Sequence, residues 1–253
     1  MANGPSGEGV IERLIRVLET FDPDHTAQTA SQISRRAALP ASTGHRVVAE
    51  LTAAGLLERD DEGRARVGMR LWELATRGSL ALGLRQAALP AMERVQSAVR
   101  QHTQLAVLEH DTALFLERLS HPEAGANITR IAGRLPLHAS SSGLVLLAHA
   151  PREVIERVLA SPLPAVAPDT ITDSAVLRRR LSEIRRLGYA VSPGSVETVS
   201  TGIAVPILDS GTVVAALSVI LPRGSRDETR TLVLLRDAAA DIATTLAQAR
   251  LFR

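Results

Sequence analysis

The chain has 253 residues, 45% hydrophobic, 22% charged and only 2% aromatic, so its core is expected to be built from Leu, Val, Ile and Ala in one large or two smaller globular domains. All 29 basic residues are arginine and cysteine is absent, which excludes a Walker phosphate loop, a Schiff-base lysine, a Ser-x-x-Lys pair, disulfides, thiolate zinc sites and cysteine nucleophiles. The formal charge is only +2, and the pI near 10.2 reflects how little titrates between neutrality and pH 10 rather than a uniformly basic surface.

The opening "MANGPSGEGV" lacks the basic region and apolar core of a signal peptide and is expected to be a frayed tail. The longest apolar runs, such as "GLVLLAHA" at 143–150, fall far short of the ~20 residues of a membrane span. No membrane association is expected, and the cytoplasm is the expected location.

Apolar residues recur at helical spacing over 10–21 until "DPD" stops them, and predict a first helix. A second, short helix is predicted over 29–39 after capping hydroxyls, and a third from Pro40, at its first position, to Gly55. "LLERDDEGRARVG" then reads as a hairpin around an acidic turn at 60–63. Helix, helix, helix, hairpin is the order of a winged helix-turn-helix, here over residues 1–68. Residues 69–85 read as a linker helix, and 86–253 as an α+β sheet domain.

In that second domain "TQLAVLEH" and "TALFLERLS" predict two strands hinged at His110-Asp111, with "ANITRIA" as a third. Helices are expected over 141–149 and 151–160, and an amphipathic one follows Thr172/Asp173 and closes at Gly188. Two long strands joined at Asp209-Ser210-Gly211, and a last helix over 226–252, complete the pattern.

In the third helix, Ser42, Thr43, His45 and Arg46 alternate with the apolar or small positions 44, 47, 48 and 51, so they occupy its outer face. The unpaired amides near Ala41 to Thr43 favour a phosphate alongside. Arg46 suits guanine or a phosphate, and the hydroxyls and His45 suit base edges. A merely solvated helix face is the alternative; the hairpin directly after favours DNA. Residues 1–70 hold 9 arginines against 10 acidic residues, so any footprint is local: Arg35 and Arg36 ahead of the helix, Arg46 on it, and Arg64 on the wing. For Arg64 a salt bridge to Asp60 or Asp61 is the competing expectation.

Five blocks in register resemble the IclR-type bacterial transcription regulators: "ISRRAALPASTGHRVVAELTAAGLLERDDEGRARVGMRLWELA", "GRLPLHASSSG", "TITD", "LSEIRRLGYAVS" and "VPILDSGTVVAALSV". The resemblance runs nearly the whole chain. It implies an α+β protein: an N-terminal winged helix-turn-helix DNA-binding domain joined by a helix to a C-terminal GAF-like antiparallel-sheet domain that binds a small effector. Partners implied are double-stranded DNA with a palindromic site, the effector, and a second copy in a dimer or dimer of dimers. Effector contacts are implied at Ser141, Ser142, Ser192, Gly202, Ser218 and Ile220. Ala41 and Gly44 depart from the family's basic and larger apolar residues there. In the pocket, Ser192, Gly202 and Ile220 replace Asp, Cys and Ser, so an uncharged or weakly anionic ligand larger than a two- or three-carbon acid is expected.

Histidines 102, 110, 121, 138 and 149 show no metal-ligand spacing, and no G-x-S-x-G or G-x-G-x-x-G appears. No catalytic residue, metal or cofactor is expected, and His138 is expected to satisfy a buried backbone group. A small-molecule-binding or hydrolytic protein whose winged helix serves protein contacts stays open as the rival, as does a regulator that binds DNA without an effector.

Overall fold

The computed structural model describes residues 9–125 and 127–251. The chain divides into two compact units, Met1–Ser79 and Leu80–Arg253.

The first unit contains α1 (Val10–Leu18), α2 (Ala30–Arg36) and α3 (Ala41–Ala53). A three-stranded sheet follows in the order β1 (Ala27–Gln28), β3 (Ala65–Val67), β2 (Leu57–Arg59). Thr29 caps α2 reciprocally: its hydroxyl accepts from the Gln32 amide, and its own N–H donates to the Gln32 side chain at 2.7 Å. Pro40, expected inside α3, is its N-cap, one residue earlier. Val17, Ile33, Val47, Val48, Leu51, Leu57 and Ala65 form the core.

Gly44 faces this core for a steric reason. A Cβ there would lie 2.0 Å from Ser34 Oγ and 2.7 Å from Ser34 Cβ. Glycine lets α3 approach α2 closely enough to fix the angle of the helix pair, and the ~1 kcal/mol of lost helix propensity is the associated cost.

Residues 69–85 are two helices rather than one. α4 (Met69–Thr76) ends at Arg77, where ψ opens to 105°, and Gly78 takes φ +70°. The chain then re-enters a helix as α5 (Leu80–Val99), the first element of the second unit.

The second unit is built on an antiparallel sheet in the order β6-β5-β4-β9-β8-β7. Its strands are β4 (His102–Glu109), β5 (Thr112–Leu119), β6 (Arg134–Pro136), β7 (Ala190–Pro193), β8 (Ser200–Asp209) and β9 (Thr212–Pro222). The helices are α6 (Ser141–Ala148), α7 (Arg152–Ala160), α8 (Ser174–Leu187) and α9 (Glu228–Leu251). The β4–β5 and β8–β9 turns place His110 at φ +54° and Ser210 and Gly211 at +50° and +80°. Asp173 caps α8, and Gly188 closes it at φ +76°.

"ANITRIA" is not a strand. Ala126 lies outside the described residues; 127–130 are irregular, and Ala132 turns at φ +62° with its N–H donating to Phe115 O at 2.8 Å. The third strand along this edge is instead the short β6.

Alternation along the long strands separates the two faces. Ile203, Val205, Ile207, Leu217, Val219 and Leu221 pack with α5 and α9. On the other face the small residues Ala106, Ala190, Ala204 and Ala216 lie under α6 and α8. Their size lets α6 sit directly on the sheet with every residue buried. Even a Gly143 Cβ would meet Leu137 O at 2.5 Å.

Candidate functional site

In the first unit, α3 presents Ser42, His45 and Arg46 exposed and Thr43 half-buried, while Gly44, Val47, Val48 and Leu51 are buried. Ala41 opens the helix, exposed. His45 Nε2 lies 3.1 Å from Ser31 Oγ, and Arg46 pairs with Glu50 at 2.7 Å. That i,i+4 pair is exposed and worth roughly 0.3–0.5 kcal/mol, so a guanine or phosphate can displace Glu50 from Arg46.

The other arginines differ. Arg35 is exposed and makes no ion pair among the described residues. Arg36 donates to Thr20 O at 3.1 Å and to Asp22 at 2.8 Å, tying α2 to the end of α1. Arg64 donates from Nε to Asp60 at 2.8 Å and lies 3.1 Å from Glu62. Partial burial pushes the Asp60 carboxyl up, but the hydrogen bonds and charge of Arg64 outweigh it and hold it below its ordinary value. Arg66 pairs with Glu58, and Arg59 donates to Gly63 O across the wing turn. The wing is thus braced by its own arginines.

Arg36→Ala removes two hydrogen bonds from a junction and is expected to destabilise the first unit by roughly 0.5–1.5 kcal/mol, read as a lower urea midpoint. Asp22 is held below its ordinary pKa of 3.8, first by the His25 hydrogen bond and then by its Asp24 and Arg36 contacts. Its stabilising contribution is therefore full above 3.8 and lost as pH falls through the depressed value. Wild type and Asp22→Asn should differ in thermal midpoint at neutrality and converge in acid.

In the second unit, a cavity of about 390 Å3, its mouth included, lies between the sheet and the start of α6. Pairing register builds its floor: Ser192, Gly202 and Ile220 stand side by side on β7, β8 and β9. Ser140, Ser141 and Ser142 form one wall, and Gln104, Phe115, Asn127, Thr129 and Leu135 the far side.

Ser140 caps α6 by accepting from the Gly143 amide at 3.0 Å. The Ser141 and Ser142 amides, at the helix start, have no partner among the described residues. The Ser192 hydroxyl is buried and also unpartnered. Gly202 makes room above the floor, since a Cβ there would lie 2.6 Å from Ser141 Oγ.

Five of the six residues implied for the effector therefore line one cavity. Ser218 is not among the lining residues; its hydroxyl accepts a 2.8 Å hydrogen bond from Ser142 Oγ that pins α6 to β9. The far-side residues were missed from sequence. The one available signal was the Asn-x-Thr turn, where Asn127 Oδ1 accepts from the Thr129 amide at 2.9 Å.

Three histidines serve backbone carbonyls: His102 Nε2 reaches Gly125 O at 2.6 Å, His138 Nε2 Pro164 O at 3.0 Å, and His149 Nδ1 Val145 O at 2.9 Å. No group of three or more His, Cys, Asp or Glu able to hold a metal occurs among the described residues. Nor, among those residues, is any helix long and apolar enough to cross a membrane.

A reading helix beside a braced wing, and a polar-walled cavity in a separate sheet unit, meet their counterparts in known proteins. Residues 10–61 match the IclR helix-turn-helix domain, and residues 80–244 match the bacterial transcriptional regulator IclR C-terminal domain. The chain belongs to the IclR family. Among IclR relatives, the transcriptional repressor AllR of Escherichia coli K12 is 29% identical over 246 residues, covering 95% of this chain and 91% of AllR. The regulator KipR of Bacillus subtilis is 29% identical over 189 residues, covering 74% of this chain and 76% of KipR. An IclR homologue from Microbacterium hydrocarbonoxydans, crystallised with 4-hydroxybenzoate, is 60% identical with a TM-score of 0.90. The alignment spans 95% of this chain and all (100%) of that one. This IclR protein is a DNA-binding transcription regulator whose operator binding is modulated by a small-molecule effector in its C-terminal domain.

Proposed function

We propose that the effector is an aromatic monocarboxylate of the 4-hydroxybenzoate kind, and that it acts by binding, without turnover, in a cytoplasmic regulator. The observation that carries this is the pair of unpartnered amides at Ser141 and Ser142, joined by the unpartnered Ser192 hydroxyl, in an otherwise apolar-floored cavity. A carboxylate satisfies these donors, and the positive end of α6 favours its charge. Phe115, Leu135 and Ile220 supply faces for a ring. The 60% identical homologue crystallised with 4-hydroxybenzoate supports the same ligand class.

On the DNA side, Ser42, Thr43, His45 and Arg46 read base edges, and the amide of Ala41 and Arg35 meet phosphates. Arg36 holds α2 to the end of α1 from behind, and Arg64 touches the backbone from the wing. A dimer, or a dimer of dimers, presents two such heads to a palindromic operator. Exposed Val10, Ile11 and Ile15 on α1, and Met69, Trp72 and Leu74 on α4, supply the apolar surface for the partner copy. The functional division is a reading head over 1–68, a connector over 69–85 and an effector domain over 86–253.

Isothermal titration with 4-hydroxybenzoate tests the effector: saturable heat from one site per chain is expected, and its absence contradicts the proposal. Arg46→Ala should weaken operator binding by roughly 1–3 kcal/mol while leaving the ligand titration unchanged. Unchanged DNA affinity would remove Arg46 from the reading face.

A further inference from the structure

We infer that Asn127 is a specificity-determining residue of the effector cavity: its side-chain amide is a fixed donor for an oxygen on the ligand's end opposite the α6 amides. This rests on the aromatic-acid reading above and goes beyond it by stating what the far substituent must be.

The orientation of the Asn127 amide is set by its neighbours. The Thr129 backbone N–H, which can only donate, meets one terminal atom at 2.9 Å, so that atom is the oxygen. The Thr129 hydroxyl also donates to it, at 2.7 Å, and itself accepts from Gln104 Nε2. The chain of bonds therefore runs one way, from Gln104 to Thr129 to Asn127 Oδ1. Asn127 Nδ2 is left buried with no partner, in a residue that lines the cavity. An unpaired buried donor is unfavourable, and an acceptor on a ligand relieves it.

The donor is also held in place. Arg118, on β5, donates to the carbonyls of Asn127 and Thr129. His102, on β4, bonds Gly125 O at 2.6 Å; a carbonyl only accepts, so Nε2 carries the proton. Its Nδ1 meets Ser120 Oγ at 2.9 Å. Both anchors, like Gln104, stand on the sheet rather than on the loop they hold. The donor is therefore positioned before a ligand arrives, which favours discrimination over adaptation.

Separation fits a ligand laid across the strands. Gly202, under Ser141, is on β8, and Gln104 is on β4, two strands away and two residues along from the Gly202–Ile220–His102 row, so their backbones are roughly 11–12 Å apart. A para-substituted ring points its substituent directly away from its carboxylate. With the acid at α6, that substituent crosses β9 obliquely beside Ile220, toward Gln104 and Asn127. A hydroxyl or carbonyl oxygen accepts there. A ring hydrogen offers nothing, and an aniline nitrogen, its lone pair drawn into the ring, accepts poorly.

The test is calorimetric titration of the full chain with 4-hydroxybenzoate, 4-formylbenzoate, benzoate and 4-aminobenzoate. The wild type should bind the hydroxy and formyl acids about tenfold more tightly than the other two. Asn127→Asp keeps the oxygen that Thr129 needs and turns the donor into an acceptor. In that variant the order of the formyl and amino acids should cross over. Asn127→Ala removes the donor outright and should bring formyl and unsubstituted acids to near-equal affinity. A merely structural loop residue weakens all four acids alike in both variants, and that result, or an unchanged order, overturns the inference alone. If the wild type binds none of the four, the aromatic-acid reading fails and takes this inference with it.

Discussion

Gly202→Val is expected to abolish the response to effector while leaving operator binding intact. The position is the floor of the cavity, where a first carbon already reaches 2.6 Å from Ser141 Oγ and 3.5 Å from Ile220 Cδ1. Two further methyls occupy ligand space and turn Ser141 away from the α6 start. The strand itself tolerates the change, because valine favours extended backbone and Gly202 is not among the positive-φ glycines. Overpacking of 1–3 kcal/mol directed at the ligand corresponds to a loss of up to about a hundredfold in affinity. Calorimetry should show the loss, and a DNA titration should return the wild-type value with and without ligand. Retained ligand affinity would move the effector out of this cavity.

Gly44→Ala should do the converse. Alanine normally strengthens a helix by ~1 kcal/mol over glycine, yet here its methyl would lie 2.0 Å from Ser34 Oγ and 2.7 Å from Ser34 Cβ. The second contact is the decisive one, since rotating the serine hydroxyl away does not move its Cβ. The helix pair must open, at roughly 1–3 kcal/mol, and the reading helix leaves its angle. Operator affinity should fall with ligand binding preserved, and the first unit's unfolding midpoint should drop. Ser34→Gly added to Gly44→Ala removes both clashing atoms and should recover part of both losses, since the remaining contact to Ser34 Cα is 3.0 Å.

That same glycine shows where sequence reading works and where it stops. Spacing placed position 44 on the inner face of α3, and the resemblance marked it as unusual, but only the approach of Ser34 explains it. Helix limits were legible where local chemistry sets them, as with the Thr29 cap of α2 and the Asp173 cap and Gly188 stop of α8. The hairpins at His110 and Ser210-Gly211 were legible because strong alternation flanks each turn. Residues 126–132 misled because β-favouring Ile128, Thr129 and Ile131 cluster there. Yet the Asn127 side chain bonds its own backbone, and the anchors Arg118 and His102 come from distant strands. The bond between Ser218 and Ser142 was out of reach for a related reason. It joins α6 to β9 across 76 residues, a pairing that no local pattern encodes. The break at Gly78 was hidden because residues on both sides keep helical spacing.

One measurement bears most directly on a regulator with a reading head and an aromatic-acid cavity. A labelled DNA fragment neighbouring the gene is titrated with the full chain across a salt series, with and without saturating 4-hydroxybenzoate, for wild type and Gly202→Val. The expected result is saturable binding that weakens steeply with salt, shifted by the ligand in the wild type and unshifted in the variant. Salt-insensitive or unsaturable binding, or a wild-type titration that stays fixed while calorimetry shows the cavity filled, would contradict it.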